Sequence, residues 1–486
     1  MSELGVQGGM LWKILSIEEE ILNIILKDLD AISLKNFELT SFFYRTFIQR
    51  AFIWKKKFEK DHPNYFKGVK YNDIARRMRD YSHLDNHLKF KILCLRINHL
   101  HKNWETRSFQ NKNINLKKVF NQETIKTLDT NMILTVKNSY VGLNDSHEIC
   151  EHLYDISKCE KSENFQKPSS LHILDAHIFK DYMVLFGIED NFVIKLFSNI
   201  SGELLKQTDN VREKGITKWS KIKICPDVII AIESNFWGLE SNTDEDCDSV
   251  HIFEYKNDES ENIQHIRKIV LDLPPCNYLT MFTFDDAYLI GNQENNDIVE
   301  LWDLKNLSML EDQMKAPVIW RIGVSERNTS AIFCHPFAYI GKSNGRCDIW
   351  NVTTNTRIRS LEHDTTGANI FLTIKKVLVL DHYILTLTQR GKIYAWDKKK
   401  CLADQDSERC VPVWKCSSSM SGNVIYDLYA DTTKLVCLES NTREAAQWLV
   451  VKDMWHCQSA PREITNKRRF HGPQKFDKRR KFAFDL

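Results

Sequence analysis

Hydrophobic and polar positions follow two different periods along this chain, and the change from one to the other divides the sequence. Up to about residue 105, apolar residues recur every three or four positions, which is the spacing of one face of an α-helix. Beyond that point, short apolar runs of strand length are separated by turn residues such as Asn, Asp and Gly. The pattern predicts a small helical region followed by a long all-β region.

Two helix starts are indicated in the first segment. Ser16 and Glu19 have the spacing of a capping box, in which each side chain accepts a hydrogen bond from a backbone N–H of the first turn of a helix. Ser33 is predicted to cap a second helix. The aromatic residues that follow outnumber what so small a unit can bury alone, so we expect an exposed apolar surface that binds a partner.

The segment from Leu15 to Trp54 resembles an F-box. This resemblance implies that it binds a Skp adaptor protein. It departs from the usual pattern where Ser16 replaces proline, Thr40 replaces cysteine and Phe43 replaces tryptophan. The alternative is an ordinary helical cap buried against the rest of the chain. The residues expected to bind the adaptor are Leu15, Ile17, Ile21, Ile24, Ile25, Leu29, Leu34, Phe37, Leu39, Phe43 and Trp54.

The β region carries a faint repeat in which each unit ends in a strand with an aromatic residue. Successive aromatics are spaced near the length of a four-stranded WD-type blade. Asn344-Gly345 and Arg390-Gly391 supply hairpin turns ahead of two of them. The repeats resemble divergent WD repeats, which implies a β-propeller of about seven blades; a β-sandwich with extra strands is the alternative. The blade aromatics are Tyr154, Phe197, Phe253, Trp302, Trp350, Trp396 and Trp448.

The match to WD repeats is uneven. Only Trp302-Asp303 and Trp396-Asp397 give the full dipeptide, and His363 is the one histidine placed about where the family has it. The resemblance therefore implies the family's internal hydrogen-bond network near His363 but not in most blades. Asn103-Trp104 resembles the junction that precedes the propeller in F-box proteins with WD repeats. The segment after this pair is expected to join the last unit and close the ring.

These patterns predict a multidomain chain: a small all-α F-box and helical linker, followed by an all-β, WD-repeat-like propeller. The predicted parts are an F-box at 10–60, a helical linker at 61–105, a propeller at 106–460 and a basic flexible tail at 461–486. In the tail, a nuclear-import signal and a plain solvated terminus are weighed equally, and a nucleic-acid patch comes third. The residues of the possible import signal are Lys467, Arg468, Arg469, Lys478, Arg479, Arg480 and Lys481.

Composition narrows the class of protein. Hydrophobic residues make up 42% and charged residues 27% of the chain, which is typical of a globular protein. A net charge of +2 gives no global argument for nucleic acid or a membrane as partner. The 13 cysteines are dispersed without a C-x-x-C pair, which favours reduced thiols over disulfides or zinc. Without a signal peptide or a bilayer-spanning run, we expect the cytoplasm, the nucleus or both.

No motif for catalysis is present: the sequence lacks a nucleophile elbow, a P-loop, an H-E-x-x-H pair and a dinucleotide fingerprint. We therefore expect no enzyme activity, metal or cofactor. The resemblance implies a substrate-recognition subunit that binds the Skp adaptor, a cullin through it, and a target protein on the propeller. The substrate residues are unknown. Candidates for phosphate recognition, each individually more typical of solvated surface charge, are Arg321, Arg327, Arg357 and Arg359.

Two alternative functions are kept. One is a WD-like scaffold outside any ligase, with the nucleus as a candidate location, whose helices bind the adaptor or another protein. The other is a nucleic-acid-associated protein that acts through its basic tail, with binding that falls steeply as salt rises.

Overall fold

The described residues of the chain form two compact units. The computed structural model describes residues 19–50, 52–61, 84–115, 123–127, 132–140, 146–155, 160–161, 163, 165, 171–179, 181–189, 192–199, 201–208, 218–225, 228–234, 249–256, 262–271, 279–284, 288–293, 298–303, 315–316, 318–323, 326–363, 373–403, 410–418, 423–441 and 446–454. The helical unit holds the described residues up to His99, and the propeller unit holds those from Leu100 to Met454. Leu15, Ile17 and the basic tail lie outside the described residues.

The helical unit consists of four short helices and most of a fifth. They are α1 (Glu19–Asp28), α2 (Ala31–Thr40), α3 (Phe42–Arg50), α4 (Ile53–Asp61) and α5 (Asn86–Thr106), of which residues from Leu100 onward belong to the propeller unit. Leu22 and Leu26 of α1 are buried one turn apart, so they anchor that helix. No helix in the described part of the chain is long and apolar enough to cross a membrane.

Asp30, rather than the predicted Ser33, caps α2. The carboxylate of Asp30 accepts hydrogen bonds from the amides of Ile32 and Ser33, both at 2.9 Å. The hydroxyl of Ser33 donates to the other oxygen of Asp30 at 2.6 Å. The prediction of a Ser33 cap was wrong because the helix begins three residues earlier than that cap implies. A carboxylate at the cap position also matches the positive end of the helix dipole.

The described strands of the propeller unit form six sheets. The first contains β2 (Glu123–Thr127), β3 (Met132–Tyr140), β4 (Ser146–Asp155), β5 (Glu160–Lys161), β6 (His172–Phe179), β7 (Tyr182–Ile188), β8 (Phe192–Ser198) and β9 (Leu204–Gln207). The second contains β10 (Lys218–Ile224), β11 (Val228–Ser234), β12 (Ser249–Glu254), β13 (Gln264–Leu271) and β17 (Lys315–Ala316). The third contains β14 (Leu279–Phe284), β15 (Tyr288–Gln293), β16 (Ile298–Asp303) and β18 (Trp320–Gly323).

All strands of the remaining three sheets pair antiparallel, whereas β13 and β17 of the second sheet are parallel. The fourth contains β19 (Asn328–Cys334), β20 (Phe337–Lys342), β21 (Arg346–Asn351) and β22 (Thr356–Glu362). The fifth contains β23 (Ile374–Val379), β24 (Tyr383–Thr388), β25 (Ile393–Asp397) and β26 (Trp414–Cys416), with the short helix α6 (Lys398–Leu402) between its last two strands. The sixth contains β27 (Val424–Ala430), β28 (Lys434–Asn441), β29 (Ala446–Asp453) and β1 (Gln110–Asn115).

This β-propeller has six blades in its described residues, so the prediction of about seven was wrong. The difference arises in the first two units predicted from the aromatics Tyr154 and Phe197. Their strands join into one eight-stranded sheet, because β4 pairs with β6 at Ile149 and His172. A count of repeating aromatics cannot detect pairing between units, since it registers only the third strand of each one.

The ring closes as the sequence suggested. Strand β1, which directly follows the end of α5, pairs antiparallel with β29 from Gln110 opposite Asp453 to Asn115 opposite Trp448. Asn103 and Trp104 lie in the same unit. The side-chain amide of Asn103 donates to the carbonyl of Met454 at 2.7 Å, and the indole N–H of Trp104 donates to the carbonyl of Thr432 at 2.8 Å. These bonds fix the end of α5 to the blade that β1 completes.

Each of the six described sheets has a register shift at an equivalent place in one strand. These bulged strands are β6, β10, β14, β19, β23 and β27. One extra residue stands between two residues that face consecutive partners on the next strand, which is the pattern of a β-bulge. The shifts lie at Ile173/Asp175, Trp219/Lys221, Leu279/Met281, Asn328/Ser330, Ile374/Lys376 and Ile425/Asp427.

Residues just after these bulges join one blade to the next. Each link runs between the bulged strands of two consecutive blades, so these blades are connected by polar contacts in addition to apolar packing. The links are the amide of Ile222 to the carboxylate of Asp175 at 2.8 Å, the amide of Val377 to the hydroxyl of Ser330 at 3.2 Å, and the ammonium of Lys376 to the carboxylate of Asp427 at 2.9 Å.

His363 forms a complete hydrogen-bond network. Its Nδ1 lies 2.6 Å from the carbonyl of Gly345, and its Nε2 lies 2.6 Å from the hydroxyl oxygen of Thr386. The indole N–H of Trp396 donates to the same hydroxyl at 3.2 Å. All three side chains are buried, so the network ties the end of β22 to the second and third strands of the next blade.

Candidate functional site

The helical unit carries an apolar surface on α1 and α2. Ile21, Ile24 and Ile25 of α1 are exposed, Ile24 by 61%, and they share one face of that helix. On α2, Ile32 and Leu39 lie two turns apart, and Leu39 is 60% exposed. So many large apolar side chains facing solvent on one small unit mark an interaction surface.

Phe52 is a further exposed apolar residue of the helical unit, and its backbone conformation is strained. It lies between α3 and α4 with a φ of 52°, and its side chain is 53% exposed. The left-handed conformation is unfavourable for a bulky side chain, and such strain is concentrated at functional positions. Ile32 and Phe52 were not among the predicted adaptor-binding residues. Helical periodicity could not identify Phe52 because it lies outside every helix.

The other predicted adaptor-binding residues have different surroundings. Leu34 and Trp54 are fully buried, and Leu29 and Phe37 are half-buried. Phe37 packs against Tyr44 with ring centroids 4.2 Å apart. Phe43 lies in α3. Among the predicted residues whose side chains the structure describes, it separates an exposed set from a more buried one, whereas the sequence pattern treated them as one stripe.

Glu38 is the polar centre of the helical unit. Its side chain is buried, yet it lies 2.6 Å from the ammonium of Lys91 and 3.1 Å from Nε2 of His87, both on α5. The indole N–H of Trp54 also donates to Glu38, at 3.2 Å. One carboxylate therefore connects α2, α4 and α5, and the buried indole is satisfied by it.

The charge of Glu38 is stabilised despite its burial. Burial alone raises the pKa of Glu38, but hydrogen bonds from His87 and Lys91, together with their charges, outweigh it and lower the pKa to about 2. The carboxylate is therefore ionised throughout the physiological pH range. Breaking the cluster would leave an uncompensated charge in the core, which is strongly destabilising.

On the propeller, three of the four arginines proposed for phosphate recognition make contacts within the unit. Arg321 pairs with the fully buried Glu300 at 2.5 Å. Arg357 lies 4.0 Å from the carboxylate of Asp348. Arg359 donates to the carbonyl of Ala403 at 3.2 Å, whereas Arg327 is exposed. These contacts favour structural roles for the first three residues.

Sequence reasoning missed two pairs of interacting side chains in the propeller. Asp348 is buried and pairs with the ammonium of Lys342 at 2.6 Å. Cys401 and Cys410 lie with their sulfur atoms 2.8 Å apart. No spacing motif announces either pair, because each depends on how strands and connections meet in the folded blade. Within the described ranges, no group of three or more His, Cys, Asp or Glu residues could hold a metal ion.

Comparison with known proteins gives no family. No family model matches the chain, and no curated protein matches it. A computationally designed protein, Ika8, matches with 12% identity and a TM-score of 0.41, over 68% of this chain and 92% of that chain. A chain from the crystal structure of a mitotic checkpoint complex matches with 8% identity and a TM-score of 0.46, over 71% of this chain and 93% of that chain. Likenesses this distant carry no argument about function.

Proposed function

We propose that this chain is the substrate-recognition subunit of a Skp, cullin and F-box ubiquitin ligase. Its helical unit binds the Skp adaptor, which brings the cullin, and its propeller holds a target protein for ubiquitination. The chain performs no chemistry itself and works in the cytoplasm, the nucleus or both. The observation that carries the proposal is the exposed apolar face of α1 and α2 on a unit with its own core.

The partition of the F-box-like residues supports this role. A docking helix must keep apolar side chains outside while other residues hold it folded, and helix faces with apolar anchors are a common recognition mode. Ile24 and Leu39 meet the first requirement, and Leu34 and Trp54 meet the second. Phe52 extends the exposed set with an aromatic side chain, a residue type enriched at interfaces.

The architecture of the propeller supports the proposal that it binds the target. Loops on a rigid scaffold are where binding residues concentrate, and the six described blades of the propeller supply such a scaffold. Holding a target near the ubiquitin-carrying enzyme raises the effective concentration of the reacting groups. The catalytic cysteine would then belong to another subunit.

The test is a pull-down of the full chain with the Skp adaptor and a cullin. Ile24→Asp and Ile32→Asp each place a charge on the exposed apolar face, so we expect adaptor affinity to fall roughly tenfold or more. Asn36→Asp is the matched control, because it adds the same charge at an exposed polar position of α2. Leu34 is unsuitable for this test because its burial makes loss of folding and loss of binding indistinguishable.

The outcomes separate the possible functions. Retention of both the adaptor and the cullin by the intact chain, lost in Ile24→Asp and kept in Asn36→Asp, supports a ligase receptor. Adaptor binding without the cullin would favour the scaffold function. Failure to bind the adaptor, with the helical unit folded as judged by hydrogen exchange, would overturn the proposal.

A further inference from the structure

Two cysteines in one connection of the fifth sheet have their sulfur atoms in direct contact. Cys401 lies in α6 and Cys410 precedes β26, so both belong to the connection between β25 and β26. Their sulfur atoms are 2.8 Å apart, and they are nine positions apart along the chain. Cys401 is buried and Cys410 is half-buried, which gives the pair one protected and one accessible sulfur.

The surroundings of Cys410 favour its thiolate. A hydrogen bond with Cys401 lowers the pKa of Cys410 most; burial raises it, and the charge and a hydrogen bond of Arg359 lower it again, to about 7. Asp397, the N-cap of α6, opposes this effect weakly. The same hydrogen bond and burial raise the pKa of Cys401, so this thiol keeps its proton. One nucleophilic and one protonated sulfur therefore face each other.

We infer that Cys401 and Cys410 form a redox-active dithiol, which a peroxide oxidises to an intramolecular disulfide. The geometry supplies the main requirement, since disulfide formation needs two sulfur atoms that can meet without rearrangement of the backbone. The oxidant is hydrogen peroxide or an organic hydroperoxide. In reducing compartments such bonds are usually transient and serve sensing rather than stability.

The chemistry proceeds in two balanced steps. The Cys410 thiolate attacks one peroxide oxygen, the O–O bond breaks, and a sulfenic acid forms; the leaving hydroxide, or the alkoxide of an organic hydroperoxide, takes a proton to become water or an alcohol. Cys401 then loses its proton and attacks the Cys410 sulfur, forming the S–S bond and expelling the sulfenic hydroxyl as water. The sulfurs lose two electrons, the peroxide gains two, and a cellular thiol reverses the change by exchange.

Oxidation would alter the contacts of this connection. Arg359 of β22 donates to the carbonyl of Ala403, between the two cysteines in sequence, and its guanidinium favours the Cys410 thiolate. A disulfide removes that negative charge and closes a covalent ring from Cys401 to Cys410. The outer strand of one blade and the connection of the next would therefore respond together. This inference does not depend on the proposed ligase function.

The experiment is a peroxide titration of the full chain followed by non-reducing peptide mapping. We expect a cross-linked peptide containing Cys401 and Cys410, lighter than the reduced pair by two hydrogens and restored by a thiol reductant. Cys347 and Cys437 should stay reduced at the same peroxide concentration, because both are fully buried and burial raises the pKa of each thiol.

Substitutions assign the roles of the two sulfurs. Cys401→Ser should trap Cys410 as a sulfenic acid that reacts with a dicarbonyl probe, and Cys410→Ser should leave Cys401 reduced. Arg359→Gln should slow oxidation near neutral pH severalfold, because the thiolate loses a favourable charge. Exposed Arg327→Gln is the matched control and should not change the rate.

The opposite results would overturn the inference. The dithiol is excluded if Cys410 proceeds to a sulfinic acid in the unaltered chain while Cys401 remains reduced. It is also excluded if the buried cysteines react at the same rate as the pair in a chain that hydrogen exchange shows to be folded.

Discussion

The helical unit and the propeller differ in how they use apolar and polar side chains. The helical unit leaves Ile24 and Leu39 exposed and joins three helices through one buried carboxylate, Glu38. The propeller buries blade aromatics such as Trp302 and Trp396 and repeats polar links between the bulged strands of consecutive blades. The first arrangement concentrates stability in a few groups and offers a binding surface. The second distributes stability over many similar contacts, which suits a rigid scaffold.

Trp54→Ala is the substitution with the largest predicted effect, and it tests whether the helical unit depends on a few buried groups. The indole is fully buried, so its removal should destabilise the helical unit by about 3 to 5 kcal/mol. Hydrogen exchange should show lost protection in α1 to α4 and unchanged protection in the propeller strands. Phe52→Ala is the control, because this aromatic is exposed and its loss should change stability by no more than about 0.5 kcal/mol. Equal loss of protection in both units would show that stability is not concentrated as described.

A pH titration measures how much the ionised Glu38 contributes to the stability of the helical unit. The pKa of Glu38 is lowered from 4.5 to about 2 in the folded unit, so its contribution is fully present above pH 4.5 and is lost as the pH falls toward 2. The expected loss is up to about 3 kcal/mol. Glu38→Gln should flatten the acid unfolding curve of α1 to α4, measured by helical circular dichroism. An unchanged curve would remove Glu38 from the centre of the unit.

A substitution in the propeller should have a smaller effect, because stability there is distributed over many contacts. Thr386→Val removes the hydroxyl shared by His363 and Trp396, leaving two buried ring nitrogens without that partner. We expect a loss of about 1 to 3 kcal/mol in urea unfolding. Thr353→Val is the control, because Thr353 is exposed. A loss much above this range would mean that the propeller also depends on one group, contrary to the comparison.

Local patterns predicted the elements better than their assembly. The Asn344-Gly345 hairpin was predictable because this turn needs a positive φ, which glycine adopts without strain. Gly345 has a φ of 85°. Gly391, with a φ of 72°, is similar, and an added Cβ there would lie 2.7 Å from the backbone nitrogen of Ile425. The blade count, the recurring bulges and the thiol pair were not predictable, since each depends on register between strands.

On α1, too, the sequence predicted the helix but not the way in which it packs. Periodicity identified Ile21, Ile24 and Ile25 as a stripe on α1, but it could not decide which side of that helix faces solvent. The structure buries Leu22 and Leu26 and exposes the three isoleucines. A sequence records that a residue is apolar, whereas its exposure depends on where the neighbouring helices pack. The predicted stripe therefore combined residues from the exposed face and the core.

The pairing of β1 with β29 has a consequence for synthesis on the ribosome. The first strand of the ring is made early, and its partner, Ala446–Asp453, is among the last parts of the propeller to emerge. At ordinary translation rates the interval is on the order of tens of seconds. During that time β1 has an unpaired edge that can attract other strands. Nascent chains that stall before β29 should therefore need chaperone protection, although most of their blades are already complete.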